Sequence, residues 1–122
     1  EVRSQNITFE PPGEIDLEML TFLGNETLEG LSGQIDRFLA SFDSDRVNAR
    51  RIIASGVPAE IHRIAHRLMS HCSVVKYERL GRIAREIQNA SGTASQKDLQ
   101  RMFAEFEKEF ASFRYKLESI RA

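Results

Sequence analysis

The sequence predicts an all-α protein, an antiparallel up-down four-helix bundle with a short extra N-terminal helix. Three observations predict it. Apolar residues recur at steps of three and four through most of the 122 residues, the mark of helices that each bury one stripe. No stretch alternates apolar and polar residues as a half-buried strand does. Proline and glycine are sparse and fall between the periodic segments, at Pro11-Pro12-Gly13, Gly24, Ser55-Gly56-Val57-Pro58 and Ser91-Gly92-Thr93.

Each element follows from its own residues. Residues 1–13 read as a linker or a tail on the surface, and residues 14–122 as the bundle domain. Ile15–Leu23 reads as the short extra helix. In the first long helix, Leu28, Leu31, Ile35, Phe38, Leu39 and Phe42 form the stripe, continued by Ala49, Ile52 and Ile53, with Ser44-Asp45 as the place for any bend. Pro58 suits the first turn of the next helix, where its missing N–H is harmless, and Ile61, Ile64, Ala65, Leu68, Cys72 and Val75 mark its buried side. Tyr77, Leu80, Ile83, Ala84 and Ile87 give a third stripe. In the last helix, Ser95 and Asp98 resemble a capping box with Asp in place of Glu, and Leu99, Phe103, Phe106, Phe110, Phe113, Leu117 and Ile120 form the stripe. Its four phenylalanines are read as core rather than as a ligand groove.

Composition narrows the function classes. A chain of 122 residues holds one domain with a core of its own. Hydrophobic residues at 41% and charged residues at 29% fit a folded globular chain. A net charge of -1 gives no long-range pull towards nucleic acid, so none is expected as a partner. The single cysteine forms no internal disulfide, and the cytoplasm is the expected compartment. No apolar run approaches the roughly 20 residues that cross a bilayer, and the polar start Glu1-Val-Arg-Ser-Gln-Asn6 is not a signal peptide, so no direct membrane contact is expected. A start at Glu rather than Met suggests a piece of a longer polypeptide.

The chemistry-bearing residues crowd into one segment. All three histidines, His62, His66 and His71, and the only cysteine, Cys72, lie within Ile61–Cys72. On a wheel centred on Ile61 the apolar residues of this helix stay within roughly 60° of the centre, while His66 falls near 140°. His66 is therefore expected to face solvent, with His62 and Ser73 beside it and Ser70 and Arg63 on the far side. His71 lies on the opposite shoulder, where a satisfied core histidine is acceptable. Cys72 sits in the stripe as a small hydrophobe. His62 and His66, one turn apart, have the spacing of a zinc clamp, but a closed site takes about four ligands and no second Cys/His pair completes one. No G-x-S-x-G, H-E-x-x-H or P-loop is present.

The run Ala65-His66-Arg67-Leu68, followed by Val75, Leu80, Ile83, Ala84 and Ile87, resembles the histidine phosphotransfer (HPt) family, whose motif runs alanine–histidine–x–leucine–lysine–glycine. Ile15-Asp16-Leu17, Gly24-Asn25-Glu26, Phe38-Leu39 and Ala54-Ser55-Gly56 also look like that family's opening helix, turn and pre-histidine loop. The chain departs from the motif at Met69 and Ser70, where the family usually has lysine and glycine, and at Lys76, where a glycine often stands.

The resemblance implies a phosphocarrier with His66 as the phosphoacceptor, passing phosphoryl groups between receiver-domain aspartates and lacking a complete catalytic site. It implies no cofactor of its own, Mg²⁺ being supplied by the partner receiver, and a monomer as an isolated domain. A cytoplasmic sensor histidine kinase of the hybrid type is the implied context. His62, Arg63, Arg67, Met69, Ser70, Ser73 and Lys76 are the expected partner surface. Arg63, Arg67, Lys76, Arg79, Arg82 and Arg85 would steer an acidic receiver pocket, or simply form a solvated face with partners such as Glu78 and Glu86. Two other readings stay open at this point: a degenerate bundle that docks a receiver without transfer, and a structural or metal-binding bundle.

Overall fold

The computed structural model describes residues 13–121. They form α1 (Glu18–Leu23), α2 (Leu28–Ser55), α3 (Pro58–Val75), α4 (Glu78–Ala90) and α5 (Gln96–Arg121), with no strand among the described residues. The four long helices close a ring in which α2 packs on α3, α3 on α4, α4 on α5 and α5 on α2, and α1 lies against α2 and α3. This is the expected all-α bundle with its small extra helix. The tail expected over residues 1–13 falls outside the described residues except for Gly13, whose carbonyl accepts from Lys116 Nζ at 3.0 Å.

Local sequence sets the ends of the helices. Thr27 accepts the Gly30 N–H at 2.9 Å and so caps α2, satisfying one of the donors a helix start leaves open. Gly56 closes α2 at φ 76°, a left-handed position that suits glycine, and Pro58 opens α3. α2 passes through Ser44-Asp45 as a single helix. Ser95 accepts the Asp98 N–H at 3.1 Å, whereas the Asp98 carboxylate turns to Arg101 at 3.3 Å, so only one arm of the expected capping box forms. An aspartate is a methylene shorter than the glutamate that usually reaches back.

The core matches the stripes except at their ends. Ile35, Phe38, Leu39, Phe42, Ala49 and Ile53 of α2 are buried with all the predicted apolar positions of α3 and α4, and with Leu99, Phe103, Phe106, Phe110, Phe113 and Leu117 of α5. Phe42 sits at the centre, its ring 4.9 Å from Phe110 and 5.7 Å from Phe113. Burying each such ring stabilises the fold by about 1.5–3 kcal/mol. Leu28 and Ile120, placed in the stripes by their spacing, are exposed, at 76% and 44%. Leu28 is the first residue of α2 and Ile120 the last but one of α5, so both lie in terminal turns.

The extra helix is shorter than its apolar pattern suggested. It begins at Glu18, not Ile15, because the Asp16 carboxylate accepts the Glu18 N–H at 2.8 Å and the Asp16 N–H donates to the Val75 carbonyl at 2.8 Å. That backbone bond to Glu18 is also the main cause that holds the Asp16 carboxyl below its ordinary value. α1 then docks on α2 through bare backbone: a Cβ on Gly30 would run into the Gly24 carbonyl oxygen.

Candidate functional site

The α3 helix is fixed in rotation from both sides, and that setting decides which of its polar residues reach water. Towards α4, Gly81 comes so close that a Cβ there would lie 3.6 Å from the Cys72 Cβ. Towards α2, Asp45 accepts from His71 Nε2 at 2.8 Å and from Arg67 at 3.2 and 3.3 Å. His71 also stacks on Phe42, with ring centroids 4.8 Å apart. His71 is thus a half-buried, bonded part of the core edge, and it is not free to act as a nucleophile.

His66 is different. Its residue is exposed on the outer flank of α3, and its ring has no hydrogen bond or ion pair among the described residues. The helical wheel predicted that position. His62, one turn earlier, is also exposed, and its Nε2 lies 3.2 Å from Gln88 Nε2 of α4. No group of three or more His, Cys, Asp or Glu among the described residues is placed to hold a metal ion. Cys72 is 3% exposed, and burial pushes its thiol up to about 12, so it stays protonated and inert at neutral pH.

The model of the Hpt domain family matches residues 34–116, from within α2 to near the end of α5. The chain belongs to the Hpt domain family. No curated protein and no solved structure matches it. Hpt domains carry out histidine phosphotransfer in phosphorelays and interact with receiver domains. No described helix is long and apolar enough to cross a membrane.

Within this Hpt domain the residues expected at a partner surface divide into two groups. His62, Arg63, Arg67, Ser70, Ser73 and Lys76 are exposed beside or below His66 on α3. Met69, expected on the surface, is instead half-buried and packed against the core, because at about 80° on the wheel it leans into the seam with α4. The Ser70 hydroxyl donates to the His66 carbonyl at 3.1 Å, so this side chain lies back along the helix rather than projecting from it. Lys76 closes α3 at φ 54°, in the left-handed region. A glycine there, as the family often has, would adopt that backbone without strain.

Three features were missed by reasoning from sequence. The Asp45–His71–Arg67 cluster had a signal: Asp45 stands three residues after Phe42 and four before Ala49, on the buried stripe of α2, and an acid in a stripe needs a partner. The Gln88 contact to His62 had none, since it depends on the register between α3 and α4. The third is a groove of about 540 Å³ between α3 and α4, whose lining includes Met69, Ser73, Gly81, Arg82 and Arg85.

Proposed function

We propose that His66 is the phosphoacceptor of this Hpt domain and that the chain ferries phosphoryl groups between the aspartates of receiver domains. One observation carries the reading: His66 is an exposed imidazole without a partner in the middle of a rigid helix, whereas His71 is tied to Asp45 and His62 contacts Gln88. A neutral imidazole has one ring nitrogen with a free lone pair. That lone pair attacks the phosphorus of a receiver's aspartyl phosphate. The N–P bond forms as the P–O bond to the aspartate breaks, the electron pair leaves with the carboxylate, and the proton on the other ring nitrogen passes to solvent. Charge neutralisation at phosphorus comes with the receiver and its Mg²⁺.

The bundle's contribution is placement. A histidine mid-helix in α3, set by Gly81 on one side and Asp45 on the other, is presented at a fixed height and angle to an incoming domain. His62, Arg63, Arg67, Met69, Ser70, Ser73 and Lys76 form the near surface for the receiver, and their excess of positive charge suits an acidic pocket. A receiver domain charged with acetyl phosphate and mixed with the protein in Mg²⁺ tests the proposal. Label should move to the wild type and not to His66→Gln. A wild type that binds the receiver but takes no label would leave a docking module without transfer.

A further inference from the structure

We infer that Arg85 of α4 reaches across the seam to hold the phosphoryl group on His66. The inference rests on His66 being the phosphoacceptor. Two anchors fix the register of the antiparallel pair. The α3 residue His62 meets Gln88, and Cys72 meets Gly81. Along α3, His66 lies between His62 and Cys72. Along α4, Arg85 lies between Gly81 and Gln88, on the same face by its spacing of four and three from them. The two are therefore at matching levels across the seam, and Arg85 and Met69 already line one groove.

Three of the other cations near His66 already have partners. Arg67 is paired with Asp45 at 3.2 Å and Lys76 with Asp16 at 3.5 Å. Arg79 has a partner, and the Arg82 Nε is withdrawn from water without one. Position 69 holds a thioether that packs inward. Arg63 and Arg85 are exposed and have no ion pair or hydrogen bond among the described residues; Arg63 stands one turn before His66 on the side away from α4, whereas Arg85 stands on the seam side. A phosphoryl group on nitrogen carries nearly two negative charges and three acceptor oxygens, which a guanidinium fork matches with two parallel N–H donors. Arg85 is thus free of any competing anion before the phosphoryl group arrives.

Phosphoramidate tests this without a docked partner, since the His66 lone pair forms the N–P bond as the donor's own P–N bond breaks and ammonia leaves with the electron pair. Arg85→Ala should slow phosphorylation of His66 about tenfold, the effect of one charge-assisted hydrogen bond at a partly exposed site. Arg85→Lys should recover much of the rate, and Lys108→Ala, on α5 across the bundle from α3, should stay within about twofold of wild type. Phosphorylation should also shift the Arg85 Nε–H signal in a ¹H–¹⁵N spectrum. A phosphorylated His66 with an unmoved Arg85 signal, or with Arg85→Ala reacting at the wild-type rate, would overturn the inference and leave the carrier reading standing. No phosphoryl group on His66 of the wild type from phosphoramidate or from a charged receiver would overturn both.

Discussion

Asp45→Ala should cost the fold about 2–4 kcal/mol, a large loss for a change at the edge of the core. The figure follows from the bonds that the carboxylate makes. Its contact with His71 Nε2, at 2.8 Å and with the two side chains only 11% and 18% exposed, is a hydrogen bond to a charged group, for which about 1.5–3 kcal/mol is typical. Removing the acid also leaves the ring nitrogen of His71 half-buried and unpaired. The bond to Arg67 adds less, about 0–1 kcal/mol, because the guanidinium is 61% exposed and water competes for it. Urea unfolding followed by circular dichroism reads the loss directly, and thermal unfolding should show a fall in Tm of about 10 °C. A double-mutant cycle with His71→Phe separates the pair from its surroundings. Phenylalanine keeps the stack on Phe42, so the double variant should be more stable than the sum of the singles predicts, by about 1–2 kcal/mol. A loss under about 0.5 kcal/mol for Asp45→Ala, or strict additivity in the cycle, would refute the view that this cluster pins α3 to α2.

Three more predictions follow from the backbone and the buried thiol. Gly30→Ala should destabilise by about 1–3 kcal/mol, read in the same urea titration, because its methyl group meets the Gly24 carbonyl and α1 must shift. Lys76→Gly should instead stabilise by about 0.5–1 kcal/mol, since glycine relieves the left-handed strain at φ 54° and gives back part of that gain as backbone entropy; a less stable variant would contradict the strain argument. Stability should fall as pH rises above about 9: the unfolded Cys72 thiol releases its proton near 9.0 while the folded one holds it to about 12, so the unfolded state binds fewer protons in that window. Cys72→Ala should flatten the slope by up to about 1.4 kcal/mol per pH unit. Tyr77, raised by burial and by its bond to Glu109, adds to the decline above its ordinary 10.0.

How much was legible in the sequence depended on whether a feature lies within one helix or between two. Periodicity placed the α3 and α4 stripes without error and put His66 outside, because both facts follow from about 3.6 residues per turn. It failed at Leu28 and Ile120, where burial depends on whether a neighbouring helix extends that far. It failed at Ile15 because the Asp16 side chain and the Val75 carbonyl take up backbone groups that a helix would have used. Met69 shows the same limit at the site: its wheel angle was available, but only the closeness of α4, allowed by the bare Gly81, turns that angle into burial. The Hpt motif was readable through His66 and Leu68, and the reason a glycine suits position 76, at the end of α3, became visible only with the φ angle of Lys76.

The most direct measurement for the central claim is the location of the phosphoryl group after reaction with a charged receiver domain, read from the imidazole nitrogen signals of the intact protein. The ring of His66 alone should acquire the phosphorus coupling, with His62 and His71 keeping their unmodified ring nitrogens. A phosphoryl group found on His62 or His71 while His66 stays unmodified would contradict it.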